Sequence, residues 1–201
     1  MIYTTEMLSE KYSNFFDSNS KINREAKKGN LIYIKRGLYE TNPNVNGVML
    51  SQFIYGPSYL SFDYVLSFYS VIPEAVYNTY TCATYDKNKK KIFKNVFGTY
   101  TYRDIPKAVY NLDVSVKVVG EYSYQIATIE KALCDKLYTI SPIKSIKALT
   151  ELLFEDLRID QDEFNKLDKN KLLILAPPYH STNLDFLVKF IKRGLISWNK
   201  Y

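Results

Sequence analysis

Residues 20–39 read Ser20-Lys21-Ile22-Asn23-Arg24-Glu25-Ala26-Lys27-Lys28-Gly29-Asn30-Leu31-Ile32-Tyr33-Ile34-Lys35-Arg36-Gly37-Leu38-Tyr39. Helical spacing over residues 20–28 puts Ile22 and Ala26 on one side and Lys21, Arg24, Lys27 and Lys28 on the other. Gly29-Asn30, a pair that tolerates left-handed backbone, stops the helix. Leu31-Ile32-Tyr33-Ile34 and Leu38-Tyr39 are β-forming runs on either side of Lys35-Arg36-Gly37, which predicts a small hairpin with a basic tip. Six basic residues stand here against one acid, Glu25, a local charge of +5. A groove walled by phosphates binds such a surface, because each neutralised phosphate releases a counterion. A basic but merely solvated helix face is the plainer reading; the glycine-tipped hairpin that follows favours nucleic-acid contact.

Upstream, Thr4 or Thr5 caps a first helix carrying Met7, Leu8 and Tyr12, with Glu6 in its first turn. A polar break, Asp17-Ser18-Asn19-Ser20, separates it from the second helix. Helix, turn, basic helix and hairpin is the order of a winged helix-turn-helix, here assigned to residues 1–46. Ser20, Asn23 and Arg24 are placed to meet base edges. Lys21, Lys27, Lys28 and Lys35 are placed to meet phosphate, and Lys35-Arg36 at the wing to grip backbone or minor groove.

Residues 41–47, Thr-Asn-Pro-Asn-Val-Asn-Gly, form the clearest linker, and residues 47–201 are read as a larger α+β domain. Helices are predicted over residues 49–55 and after Ser61. Short β-rich runs at 79–85, 91–96, 99–102 and 114–127, with a break at Gly120, predict an antiparallel sheet. Helices then return over 128–140, over 141–154 with Ser141-Pro142 as cap and first residue, from Asp160, and over 184–195. The fold class is α+β throughout. A second basic cluster comprises Lys87, Lys89, Lys90, Lys91, Lys94, Arg103 and Lys107 around an expected hairpin tip at Asp86-Lys87-Asn88. It reads either as a solvated turn or as a second contact with DNA, RNA or an acidic protein surface.

Composition sets the outer bounds. The chain has 201 residues, and 15% aromatic content supplies far more buriable surface than a disordered tail carries. No apolar run is long enough to span a bilayer and Met1-Ile2-Tyr3-Thr4-Thr5-Glu6 is not a signal peptide, so a cytoplasmic protein without membrane partners is expected. A net charge of +6 favours a polyanionic partner. Only five of the 27 basic residues are arginine, so phosphate, rather than base edges, should supply most of the affinity. Cys82 and Cys134 are expected to be free, buried thiols. One histidine, His180, leaves little material for zinc sites, catalytic triads or histidine bases. There is no phosphate loop and no GxGxxG motif. Glu155-Asp156 and Asp160-Asp162-Glu163 read as helix caps and surface charge. Lys131 and Asp135 make an i,i+4 pair worth a few tenths of a kcal/mol. No catalytic residue, cofactor or metal is assigned, and enzyme activity is not expected. An enzyme acting on nucleic acid would instead need Asp104, Glu130 and Asp135 in one cleft.

Four segments carry a family resemblance: Lys28 to Tyr39; Pro57-Ser58-Tyr59-Leu60-Ser61 with Val65-Leu66-Ser67-Phe68-Tyr69 and Ile72-Pro73-Glu74-Ala75-Val76; Phe97-Gly98-Thr99-Tyr100-Thr101-Tyr102-Arg103-Asp104-Ile105-Pro106; and Ala127-Thr128-Ile129-Glu130-Lys131-Ala132-Leu133-Cys134-Asp135. In order and spacing they resemble the AbiEi family, antitoxins of type IV toxin–antitoxin (abortive infection) systems, over about residues 20–137. Two helices precede the wing where that family usually has three, and Ile129 stands where it commonly has proline. The resemblance implies a repressor that binds an inverted-repeat operator in double-stranded DNA and counters a nucleotidyltransferase-like toxin without forming a stable complex. On that reading Lys87, Lys89, Lys90, Lys91, Lys94 and Arg103 form the antitoxin surface. The alternatives are a stand-alone winged-helix regulator without a toxin, or an enzyme acting on nucleic acid.

Overall fold

Thr4 and Asp17 open the two N-terminal helices, as short oxygen-bearing side chains do when they accept from the helix's first free N–H groups. In the computed structural model, which describes residues 1–73 and 77–198 and side chains as far as Gly194, strand β1 (Ile2–Thr4) leads into α1 (Thr5–Lys11). Thr4 accepts from Met7 N, and Asp17 accepts from Ser20 N at the start of α2 (Ser18–Lys27). Glu74-Ala75-Val76, part of one family-like segment, lie outside the described residues. Gly29 takes φ +80° and releases the chain into β2 (Ile32–Lys35) and β3 (Leu38–Glu40), which pair antiparallel around Gly37, also at φ +80°. β1 adds antiparallel to the other edge of β3, giving the order β1-β3-β2. Leu8, Ile22 and Leu31 bury themselves beneath this unit, flanked by Tyr3, Tyr12, Ala26 and Tyr39.

Ile34 and Leu38 of the hairpin belong instead to the large core that occupies the rest of the molecule. Residues 41–44 are exposed, but Val45 and Gly47 are already buried. A Cβ on Gly47 would lie 2.4 Å from the Tyr80 ring, so only glycine fits there. A short turn and α3 (Ser51–Ile54) follow, then β4 (Tyr59–Leu60) and α4 (Phe62–Phe68). Five further strands complete a sheet with β4: β5 (Thr79–Thr84), β6 (Lys91–Asn95), β7 (Gly98–Asp104), β8 (Val114–Val119) and β9 (Tyr122–Ala127). Its order is β6-β7-β5-β4-β9-β8.

The sheet is mixed, which corrects the antiparallel expectation: β5 runs parallel to β7 over Thr79↔Thr99 to Thr84↔Asp104, and β4 parallel to β9 at Leu60↔Ile126. β7 lies between β5 and β6, so residues 85–90 are a crossover and Asp86-Lys87-Asn88 is no hairpin tip. Asp104, at the end of β7, holds that crossover. Its carboxylate accepts from Thr84 Oγ1 at 2.5 Å, Lys87 N at 2.8 Å and Asn88 N at 2.5 Å.

Helix α5 (Ile129–Tyr138), capped by Thr128, packs on α4 and β9. Four more helices close the large core: α6 (Ile146–Glu151), which widens into a π-turn through Asp156, α7 (Gln161–Lys166), α8 (Lys169–Leu175) and α9 (Thr182–Trp198). Asp160 caps α7 as its sequence predicts. The cap of α6 is Ser145 rather than Ser141, because Asn183 holds the preceding segment as a loop. Its amide donates to the carbonyls of Leu137, Ile140 and Ser141 and accepts from Ile143 N. Cys82 and Cys134 are free and buried. No helix among the described residues is long and apolar enough to cross a membrane.

Candidate nucleic-acid interface

The solvent side of α2 is a single row. Ser20, Asn23, Arg24 and Lys27 recur at i, i+3, i+4 and i+7, so they share one face, and all four are exposed together with Lys28 just past the helix end. The Ser20 hydroxyl donates to Asp17 Oδ2 at 2.6 Å, so it meets a ligand as an acceptor. Lys21 lies elsewhere, a correction to its placement among the phosphate-facing cations. Its ammonium is 2.7 Å from Glu25 Oε1 and covers the rings of Tyr12 and Phe15 at 5.7 and 4.9 Å.

Glu25, the one acid of the stretch, is turned inward and occupied on both oxygens. Asn30 Nδ2 donates to one and Lys21 Nζ to the other, each at 2.7 Å, and these bonds hold its pKa down to about 2. The exposed row therefore keeps a net positive charge; its acidic contacts are the exposed Asp17 carboxylate, beside Ser20 and Arg24, and Glu25, 4.0 Å from Lys28 Nζ. A depressed carboxyl pKa stabilises the fold above the ordinary value near 4.5 and is lost as pH falls toward 2. Acid titration is thus expected to weaken the N-terminal unit across that window, and Glu25→Gln to flatten the response; amide exchange on α2 against pH checks both.

The hairpin is docked on the larger unit rather than projecting freely. Lys35 Nζ donates to the Ile54 carbonyl at 2.5 Å, and burial pushes its pKa down. Lys35 is thus a tether and not a phosphate contact, a second correction; Arg36 alone of the tip cations is exposed. Asn95 Nδ2 adds a bond to the Ile34 carbonyl at 3.3 Å.

The second basic cluster reaches the same turn and divides there. Lys87 stands 5.4 Å over the Tyr55 ring, which also meets Phe93 at 5.9 Å. Strand alternation puts Lys91 on the Phe93 and Asn95 face, whereas Lys94 and Ile92 share the opposite face with Thr99, Thr101 and Arg103. Lys89, Lys90, Lys91 and Lys94 are exposed, and Lys107 pairs with Asp86 at 3.5 Å.

A third constellation is buried. Lys131 and Asp135 on α5 are both 0% exposed and 2.9 Å apart. Asp135 accepts from Tyr59 OH at 2.9 Å, Ser61 Oγ at 2.6 Å and the Tyr179 hydroxyl, while Lys131 Nζ also bonds to Tyr179 OH. Burial pushes the Lys131 pKa down and the hydroxyls of Tyr59 and Tyr179 far up. The pair expected to add a few tenths of a kcal/mol thus joins β4, α5 and the turn before α9. Asp104 and Glu130 are engaged elsewhere, Asp104 on the crossover and Glu130 with Asp168 N and Lys171, so the three carboxylates have separate partners.

The sequence matches no protein-family model and gives no significant match to a curated protein.

Proposed function

We propose that this protein is a DNA-binding autorepressor and antitoxin of the kind its AbiEi-like segments imply, with α2 as the helix that enters the major groove and Arg36 at the wing. The observation that carries the reading is the row Ser20, Asn23, Arg24 and Lys27, exposed on one face of α2 while Glu25 is turned away and neutralised. The order strand, helix, helix and hairpin, with β1 added beside β3, supports a winged helix-turn-helix lacking its first helix. Lys27, Lys28 and Arg36 meet phosphate; Ser20, Asn23 and Arg24 meet base edges. Lys87, Lys89, Lys90 and Lys91 serve the second role, protection against a nucleotidyltransferase-like toxin, while Lys94 and Arg103, on the opposite face of the sheet, fall outside that surface.

Duplex affinity measured against salt tests the first role. Three phosphate contacts predict that log K falls with log salt with a slope of about −3. A slope near zero would remove α2 and the wing from any duplex. Neutralising Lys89, Lys90 and Lys91 together is expected to leave that slope unchanged and to abolish protection of cells expressing a nucleotidyltransferase-like toxin. A parent slope nearer about −5 that falls back to about −3 in this triple variant would move those lysines into the DNA footprint instead.

A further inference from the structure

Strand β8 ends the six-stranded sheet, and among the described residues no strand pairs with its outer side. Its sequence, Val114-Ser115-Val116-Lys117-Val118-Val119, carries few of the usual protections of an edge: no proline and no bulge, with Lys117 its one charged residue. Val116 and Val118 are 61% and 73% exposed.

The ladder with β9 fixes which backbone groups face outward. Val119 pairs with Tyr122 across the two-residue turn Gly120-Glu121, and Thr128 N donates to the Asp113 carbonyl at 3.1 Å. Hydrogen-bonded positions alternate along an antiparallel ladder. Residues 113, 115, 117 and 119 therefore turn their N–H and C=O groups to β9, and Val114, Val116 and Val118 turn theirs to the open side.

We infer that β8 pairs antiparallel with β8 of a second copy of this chain, about a two-fold axis at Val116. Three outward-facing residues symmetric about their middle member make a self-complementary edge. In that register Val116 meets itself and Val114 meets Val118, and each facing pair exchanges two hydrogen bonds, about six in all. Lys117 falls opposite Ser115. A shift one way sets Lys117 against the other copy's Lys117, which like charge disfavours. A shift the other way leaves Val118 without a partner. The dimer carries one continuous twelve-stranded sheet, twice the six strands of one copy, and it does not depend on the DNA reading.

Sedimentation over a concentration series tests this, with a monomer–dimer equilibrium as the expected result. Val116→Pro removes only an N–H that faces the open side, so β8 keeps its ladder with β9 and the melting temperature reports the retained fold. Losing the two central hydrogen bonds is expected to weaken the dimer about 10- to 100-fold. Val116→Lys, which places two ammonium groups face to face, is expected to weaken it as well. Facing hydrogen-bonded residues lie about 5.5 Å apart between Cα atoms, within disulfide reach. Val116→Cys is therefore expected to cross-link two copies under mild oxidation, and Val118→Cys, which faces Val114, to resist. A monomer at every concentration, a dimer indifferent to both Val116→Pro and Val116→Lys, or equal cross-linking of the two cysteine variants would overturn the proposal.

Discussion

Asp135→Ala is expected to lower the melting temperature by about 6 to 20 °C. Removing one member of a buried ion pair costs about 3–5 kcal/mol, because the other charge is left without compensation in a medium that cannot solvate it. In a chain of this length each kcal/mol moves the midpoint by about 2–4 °C. The Lys131 ammonium loses its carboxylate at 2.9 Å, and the hydroxyls of Tyr59, Ser61 and Tyr179 lose their acceptor at the same time. Lys131→Met is expected to cost less, since the carboxylate it leaves behind keeps three hydroxyl donors. Combining Lys131→Met with Asp135→Asn removes both charges and should recover much of the loss. Calorimetry on the set checks the order. An Asp135→Ala protein melting within about 2 °C of the parent would show that the cluster does not hold the helices to the sheet.

Lys27→Ala with Lys28→Ala is expected to weaken binding to every duplex sequence about 30-fold near 0.15 M salt and about 200-fold near 0.05 M, with a salt slope shallower by about two. Neither lysine anchors the fold, since both extend into solvent and only Lys28 approaches an acid, at 4.0 Å from Glu25. Arg24→Ala is expected to act differently. Losing a bidentate base contact removes about 1–3 kcal/mol of discrimination between sequences, so the preferred and random duplexes converge. Arg24→Lys keeps the charge but not the planar fork, and separates the two effects. Titrations with one preferred and one scrambled duplex, at two salt concentrations, measure all of these. An unchanged slope in the double lysine variant would take α2 out of the interface.

Most signals with a local cause were legible, though the start of α2 was not: Asp17, read as part of a polar break, caps the helix and brings Ser18 and Asn19 into it. The exposed face of α2 follows from residues three and four apart, its end from Gly29, and the starts of α1 and α7 from Thr4 and Asp160. Lys21 and Lys35 were misplaced because periodicity gives a side chain's direction but not its destination. Lys35 finds a carbonyl nineteen residues away, on Ile54, and Lys21 is drawn down by Glu25 and two aromatic rings. The strands of the large sheet are visible as β-forming runs, yet their neighbours are not, since pairing is decided between segments distant in the chain. The burial of Lys131 and Asp135 had one trace in the sequence. Ala132, Leu133 and Cys134 lie between them, and all three are buried, so this turn of α5 has no solvent side for the pair to occupy. The hydroxyls around Asp135 come from 44, 74 and 76 residues away and left no such trace.

The order β6-β7-β5 also bears on how the chain is made. As residues leave the ribosome, β5 and β6 emerge before the strand that separates them. Until residues 98–104 are free, β6 lacks its native partner, since its ladder is with β7 alone, and any direct β5–β6 pairing would have to open to admit β7. Residues 98–104 then enter between them, and the carboxylate that latches the crossover arrives as the last residue to enter. This part of the sheet can thus become permanent only once residue 104 is free to fold.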